Sequence, residues 1–227
     1  MKLKVLGSRS SGNCYILENN TEALVIEAGV SFTDVKKALN FNIRKIVGVL
    51  ISHCHSDHAA HEREYLKAGI PTLEPYLQSA DLKYTTTLGK FIVSVFPLVH
   101  DVPCYGFLIQ HEDIGNMIYV SDTEYVKYRF KDIGHMLLEA NYDNSLVSDM
   151  SANRDHIFKG HMNIETSVGF IKANDNPLLQ NIVLIHLSDV NSDEQRFKEM
   201  ASRAAKYMPN VYVADKGLEI NLNKRSS

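Results

Sequence analysis

Residues 46–61, IVGVLISHCHSDHAAH, constrain this chain more than any other stretch. Ile46, Val47, Val49, Leu50 and Ile51 form an apolar, mostly β-branched run of the kind that makes a buried strand. The run stops at Ser52 and is followed at once by His53, His55, Asp57 and His58. Ionisable groups packed this densely at the edge of a core are costly unless something neutralises them. A divalent cation does so, because neutral imidazole and ionised carboxylate are its preferred ligands. A merely histidine-rich polar loop is the simpler alternative, and the spacing argues against it. On an extended backbone His53 and His55 point the same way, and past a turn Asp57 and His58 can reach a second nearby point. Cys54 alternates away from them and reads as a small filler side chain.

At 227 residues the chain is long enough for a substantial core, and its 44% hydrophobic and 22% charged residues are those of an ordinary globular protein. A formal net charge of −3 gives no support for a surface built to coat nucleic acid or lipid. Cys14, Cys54 and Cys104 are scattered and odd in number, so a reducing compartment is expected rather than a disulfide framework. The segment MKLKVLGSRS lacks a signal-like apolar stretch, and no run could span a membrane, so a soluble cytoplasmic protein is expected. No linker, repeat or low-complexity tract interrupts the sequence, and residues 1–227 read as a single domain.

Strands are expected at Leu3–Leu6, Cys14–Leu17 and Ala23–Ile26, with a turn at Asn19-Asn20. Gly7–Asn13 reads as a glycine- and serine-rich loop that could present backbone N–H groups to an anion, or simply as a mobile connection. Helical patterns run over Thr33–Leu39, His61–Ala68, Asn163–Ala173 and Ser192–Tyr207. Further strands are expected at Phe91–Phe96, Tyr105–Gln110, Met117–Val120, Met136–Ala140, Ile182–Ile185, Val211–Val213 and Leu218–Leu222. His53, His100, Asp122 and His186 each follow an apolar strand-like run, and strands of one sheet ending on the same edge deliver such residues to one place. Seven candidate ligands result: His53, His55, Asp57, His58, His100, Asp122 and His186. Seven is too many for one ion and suits two. The economical division gives His53, His55 and His100 to one metal, Asp57, His58 and His186 to the other, with Asp122 bridging.

At these residues the sequence resembles the metallo-β-lactamase superfamily, whose signature is this His-x-His-x-Asp-His followed by an isolated His, an Asp and a final His. The resemblance covers nearly the whole chain and is closest to the YycJ/WalJ-type branch, which is similar to tRNA 3′-processing phosphodiesterases. Ser10-Ser-Gly-Asn-Cys-Tyr15, Ser121-Asp-Thr123, Gly160-His-Met-Asn163 and His186-Leu-Ser-Asp189 with Asn191 carry that closer match. The resemblance implies an α/β fold, the four-layer αββα sandwich of two mixed sheets flanked by helices. It also implies two Zn²⁺ or Mn²⁺ ions and a catalytic role for His161. Glu27 stands where such enzymes usually carry Asp, and His61 where a glycine is common; His61 reads as an extra substrate contact or an idle surface residue, the idle reading being favoured. The arm and the inserted domains of some relatives are absent.

The expected chemistry is phosphodiester hydrolysis by a metal-bridging hydroxide on nucleic acid or a cyclic nucleotide, with lactone or thioester hydrolysis as the alternative. Candidate catalytic residues are His161, Asp57 and Asp122, with His161 as general acid beside Gly160 and the N-terminus of the following helix. Substrate contacts are expected from Ser11, Gly12, Asn13 and His161. Asp101 and Asp189 are candidates to orient imidazoles. Tyr142 is assigned equally to substrate contact and to packing, and His111, His135 and His156 to the surface. A homodimer is the quaternary expectation, and no membrane partner is expected.

Overall fold

The computed structural model describes residues 1–78, 82–147 and 158–224. Among the described residues thirteen strands form two sheets. The first contains β1 (Lys2–Arg9), β2 (Gly12–Glu18), β3 (Ala23–Ile26), β4 (Ile46–Leu50), β5 (Thr72–Leu73) and β13 (Glu219–Asn221), in the order β13-β1-β2-β3-β4-β5. The second contains β6 (Tyr84–Leu88), β7 (Phe91–Leu98), β8 (Cys104–His111), β9 (Gly115–Val120), β10 (Ile133–Glu139), β11 (Asn181–Ile185) and β12 (Asn210–Val213), ordered from β12 down to β6.

The period-2 alternation of side chains decides the layering. Leu3, Val5, Tyr15, Leu17, Leu24 and Ile26 face Phe91, Val93, Phe107, Tyr119, Leu137 and Val183 between the sheets. The alternate set Cys14, Ile16, Val25, Val49 and Ile51 faces outward and is covered by Phe32, Val35 and Tyr65 from helices. On the far side Ile118, Met136, Ile182 and Leu184 pack beneath Ile164, Phe170, Ile171 and Phe197. The result is the expected helix–sheet–sheet–helix sandwich. Ser31 Oγ, Asn163 Oδ1 and Asp193 Oδ1 cap the helices Phe32–Ala38, Ile164–Asn174 and Glu194–Ala204 by accepting from backbone N–H groups. Among the described residues no helix is long and apolar enough to cross a membrane.

Strands β3 and β4 are parallel, as are β9 through β12 in the other sheet, and His53, beyond β4, comes within 3.7 Å of Asp122, beyond β9, so the carboxyl ends of both sets meet at one edge of the sandwich. Sites on open sheets form at such edges.

Three local differences from the sequence reading have physical causes. The expected loop at residues 7–13 is a tight hairpin, with β1 running to Arg9 and β2 starting at Gly12. Glycine serves close packing there: a Cβ on Gly12 would meet the Gly29 carbonyl oxygen at 2.5 Å. A short helix, Ser56–Ala59, precedes the helix Glu62–Lys67. His111 and His135 are buried rather than on the surface. His111 Nδ1 accepts from the Asp113 N–H (3.0 Å) and its Nε2–H donates to the buried Glu22 (3.2 Å). His135 Nδ1 accepts from Asn181 Nδ2 at 3.0 Å. His156 lies outside the described residues.

Burial lowers the pKa of His135 from 6.5 to about 4. The folded state holds it neutral while the unfolded chain protonates it below 6.5, so its contribution is complete above that pH and is lost as pH falls toward 4. Metal-free protein is expected to lose about 2 kcal/mol of stability through this residue between pH 7.5 and 5.0. The change in urea midpoint across that interval should shrink accordingly in His135→Gln; an unchanged pH dependence would refute the assignment.

Candidate metal centre

The buried strand β4 ends at Leu50, three residues before His53. Ser52 N–H is fixed by Glu27 Oε2 (3.2 Å) and the Ser52 carbonyl by Tyr105 N–H (3.1 Å), which hold the chain extended as it leaves the sheet. His55 opens the helix Ser56–Ala59, whose single turn sets Asp57 and His58 side by side. Glu27, Asp122 and His186 follow β3, β9 and β11 in the left-handed region (φ 65°, 47° and 55°). Such conformations cost on the order of 1–3 kcal/mol each and concentrate at functional sites.

These strand ends bring all seven sequence-expected ligands together. His53, His55, His100 and Asp122 form one group, and Asp57, His58, Asp122 and His186 a second, with donor atoms in each within 4.8 Å of one another. His55 Nδ1 lies 3.1 Å from His53 Nε2 and 3.3 Å from His100 Nε2. In the second group Asp57 Oδ2 lies 3.2 Å from His58 Nε2 and 3.3 Å from His186 Nε2, and Asp122 Oδ1 lies 3.3 Å from His58 Nε2. Donors at 2.0–2.1 Å around a tetrahedral ion stand roughly 3.3 Å apart. Both groups have that spacing, and Asp122 belongs to each. Their donor chemistry fits two divalent cations.

A third group joins Asp122 and His186 to Glu139 and His161. Glu139 is fully buried; its Oε1 accepts from His161 Nδ1 (2.8 Å) and faces His186 Nδ1 (3.2 Å). Its Oε2 accepts from the backbone N–H of Thr123 (3.0 Å) and Met162 (3.1 Å). The sequence reading missed this role. The signal was present, because Glu139 closes the apolar run of β10 just as Asp122 and His186 follow theirs.

Other expectations sort as follows. Asn13 is buried, and its Nδ2 lies 3.1 Å from Asp57 Oδ2 and 3.0 Å from His58 Nε2, so it braces candidate ligands. Ser11 and Gly12 line a cavity of about 360 Å³ with Arg9, Ser31, His61 and Lys216. His61, expected to be idle, thus borders that cavity, with its Nδ1 2.8 Å from Glu64. Glu27 stands in for the usual Asp, with Oε1 3.4 Å from His58 Nδ1. Asp101 Oδ1 lies 3.1 Å from His100 Nε2, the ring nitrogen that also faces His55, and so sits on the donor side of that imidazole rather than behind it. Asp189 instead pairs with Arg9 at 2.6 Å. Tyr142 packs on Phe158 (centroids 5.4 Å apart) and is 3% exposed, which favours packing. Cys54 is exposed and not a filler.

Charge divides the site. Burial, together with nearby imidazoles, pushes His53 well below its ordinary pKa, and burial also lowers His100. Burial opposes charge on His58 and His186 too, but Asp122 and neighbouring carboxylates outweigh it and raise both well above the ordinary value. Asp122 itself is held far below the carboxylate range by His186 and His58 against the cost of burial. Burial likewise works against His161, and Glu139 overcomes it, raising its pKa. Cations entering the second group would therefore displace protons.

A family model described as the metallo-beta-lactamase superfamily matches residues 7–73. Exodeoxyribonuclease YycJ of Bacillus anthracis is 28% identical over 65% of this chain and 65% of its own length. Exodeoxyribonuclease WalJ of Streptococcus pneumoniae is 28% identical over 64% of each. The matched part thus spans a little under two thirds of those relatives. Among solved structures, the metallo-beta-lactamase fold protein YhfI of Bacillus subtilis superposes with a TM-score of 0.70 at 16% identity, covering 96% of this chain and 98% of that one. Human tRNase Z, short form, gives 0.65 at 16% over 98% and 99%. A diphosphatase of the PhnP family gives 0.62 at 14% over 99% of each. At such identities the structures speak for the fold alone. The family-model match takes in the His-x-His-x-Asp-His segment and agrees with the sandwich and the sequence relatives: the chain has the metallo-β-lactamase fold and is similar in sequence to that superfamily, YycJ and WalJ among its relatives.

Proposed function

We propose that the chain is a metal-dependent phosphodiester hydrolase acting on nucleic acid, with two divalent cations, Zn²⁺ first and Mn²⁺ second, held by the seven side chains. The observation that carries this reading is the pairing of a two-part donor set, shared through Asp122, with a separate His161–Glu139 pair beside it. Bound cations would supply Lewis-acid stabilisation of phosphoryl oxygens and a water acidic enough to react near neutral pH. His53, His55, His100, Asp57, His58, Asp122 and His186 would hold them. Glu139 fixes the His161 ring through Nδ1 and favours its protonated form, so His161 is suited to protonate the leaving oxygen as general acid. Ser11, Gly12 and the Arg9 cavity are assigned to substrate phosphate, and Asn13 to bracing Asp57 and His58. The exodeoxyribonuclease relatives favour nucleic acid over cyclic nucleotides. Three free cysteines accord with a cytoplasmic setting.

The test is a substrate panel with Zn²⁺ or Mn²⁺ added: bis-p-nitrophenyl phosphate, an acyl-lactone and nitrocefin, followed by single-stranded DNA, RNA and cyclic mononucleotides. Turnover of the phosphodiesters is expected; turnover of the lactone alone would overturn the reading. Replacing His161 with Ala is expected to leave metal content intact and cut turnover by about a hundredfold or more. Normal turnover would remove His161 from the mechanism.

A further inference from the structure

Residues 121–132 cross from the carboxyl end of β9, at the metal centre, to the start of β10 at the opposite edge of the sheet. No helix makes this crossover; residues 124–130 run without regular structure. The sequence here, Tyr125-Val-Lys-Tyr-Arg-Phe-Lys131, interleaves aromatic and basic residues. Val126, Tyr128 and Phe130 turn inward onto the outer core, where Phe96 lies 5.7 Å from the Tyr128 ring and 4.9 Å from that of Phe130. The Phe130 N–H donates to Asn174 Oδ1 (2.7 Å) and Thr123 Oγ1 donates to Val99 O (3.1 Å), so the segment is pinned along its length.

The alternation leaves Tyr125, Lys127, Arg129 and Lys131 exposed in single file. At about 3.3 Å per extended residue, the three cations recur roughly every 6.6 Å. None of them forms an ion pair among the described residues, whereas Arg9, Lys45, Lys90 and Arg196 are each paired with a carboxylate. Glu124 and Asp132, the acids of the segment, lie at its two ends, outside the row. Lys83 adds a fourth positive charge alongside, its Nζ 4.2 Å from the Tyr128 ring centroid. In a chain of net charge −3, an uncompensated line of cations leading away from Asp122 is a local concentration that bulk composition conceals. Tyr125, 47% exposed and three residues from Asp122, offers a stacking face at the end of the line nearest the metals.

We propose that Tyr125, Lys127, Arg129 and Lys131 form a track for single-stranded nucleic acid, which guides the strand across the outer face of the second sheet and into the metal centre. The proposal rests on the phosphodiesterase reading for its direction, not for the binding itself. Single-file charge with a flat ring at one end suits one flexible backbone with unstacked bases. Phosphate contacts of this kind carry no base sequence, so the track is sequence-tolerant.

The test is fluorescence anisotropy of a labelled twenty-nucleotide oligothymidylate with metal-free full-length protein across a salt series. For Lys127→Ser/Arg129→Ser/Lys131→Ser, affinity is expected to fall at least about tenfold at low salt, with the log–log salt slope reduced by about 2, since each contact to a single strand contributes about 0.7. Tyr125→Ala alone is expected to weaken binding roughly fivefold with the slope unchanged. Arg44→Ser/Lys67→Ser, on the other sheet's side, should bind as wild type does. An oligouridylate of the same length should behave like the DNA, because phosphates are read. Equal affinity in the wild type and the triple variant would overturn the track, as would tighter binding to phosphatidylserine vesicles than to the oligonucleotide. If metal-loaded wild type cleaves bis-p-nitrophenyl phosphate while the triple variant binds DNA normally, the track alone fails. If binding follows the prediction but no phosphodiester is cleaved, the hydrolase reading alone fails.

Discussion

Replacing Asp122 with asparagine is expected to lower turnover by on the order of 10³-fold or more and to reduce bound metal from the proposed two ions per chain to one or none, with the chain still folded. Asp122 is the side chain common to all three donor groups. Its Oδ1 stands 2.9 Å from His186 Nδ1 and 3.3 Å from His58 Nε2, and its Oδ2 3.7 Å from His53 Nε2. The seven candidate ligands supply only two negative charges, from Asp57 and Asp122, against two dications. Halving that compensation in a site where Asp122 is 2% exposed leaves charge that neither solvent nor another ligand can offset. Asparagine keeps the size and tolerates the left-handed backbone at φ 47°, so a loss of function would report on charge and not on misfolding. Elemental analysis and turnover of bis-p-nitrophenyl phosphate check both parts. Two retained metals with activity within tenfold of wild type would refute the bridging assignment.

How much of this arrangement can be read from residues alone follows from where the determinants lie. The His53–His58 segment is legible because one local stretch encodes both the buried strand and the candidate ligands that end it. His100, Asp122 and His186 are legible by the same rule of placement, each just past an apolar run. Glu139 obeys that rule and was missed because one acid at a strand end has no local partner. Its meaning comes from His161 and His186, which lie 22 and 47 residues away. Long-range partners also explain His111 and His135: Glu22 and Asn181 make their burial tolerable, and neither lies nearby in sequence. Composition misled in one place. Glycines near residue 12 suggest a loop free to wrap a ligand, yet they permit two backbones to touch. The basic row after Asp122 is legible only once the fold shows which alternate residues point outward.

Gly29→Ala is expected to destabilise the protein by about 3 kcal/mol or more and to impair metal binding with it. A Cβ at Gly29 would fall 1.8 Å from the Asp57 carbonyl oxygen and 2.7 Å from the Asn13 backbone nitrogen. Both obstacles are main chain, so no rotamer change can relieve the clash. The Gly29 N–H donates to the Asn13 carbonyl (3.0 Å) and the Ala28 N–H to the His58 carbonyl (2.7 Å), which places this segment between β2 and the helix carrying Asp57 and His58. Any outward shift must move Asp57, Asn13 or both, and Asn13 Nδ2 bridges Asp57 and His58. Gly169→Ala makes the contrasting case. It lies within the helix Ile164–Asn174, exposed, with nothing within 4 Å of the added carbon. There the alanine should add roughly 0.5–1 kcal/mol through helix propensity and a less flexible unfolded chain. Urea midpoints for the two variants should therefore move in opposite directions. A Gly29→Ala protein as stable as wild type would mean that the Asp57-bearing helix is free to move away from β2, and the rigid spacing argued for the second donor group would fall with it.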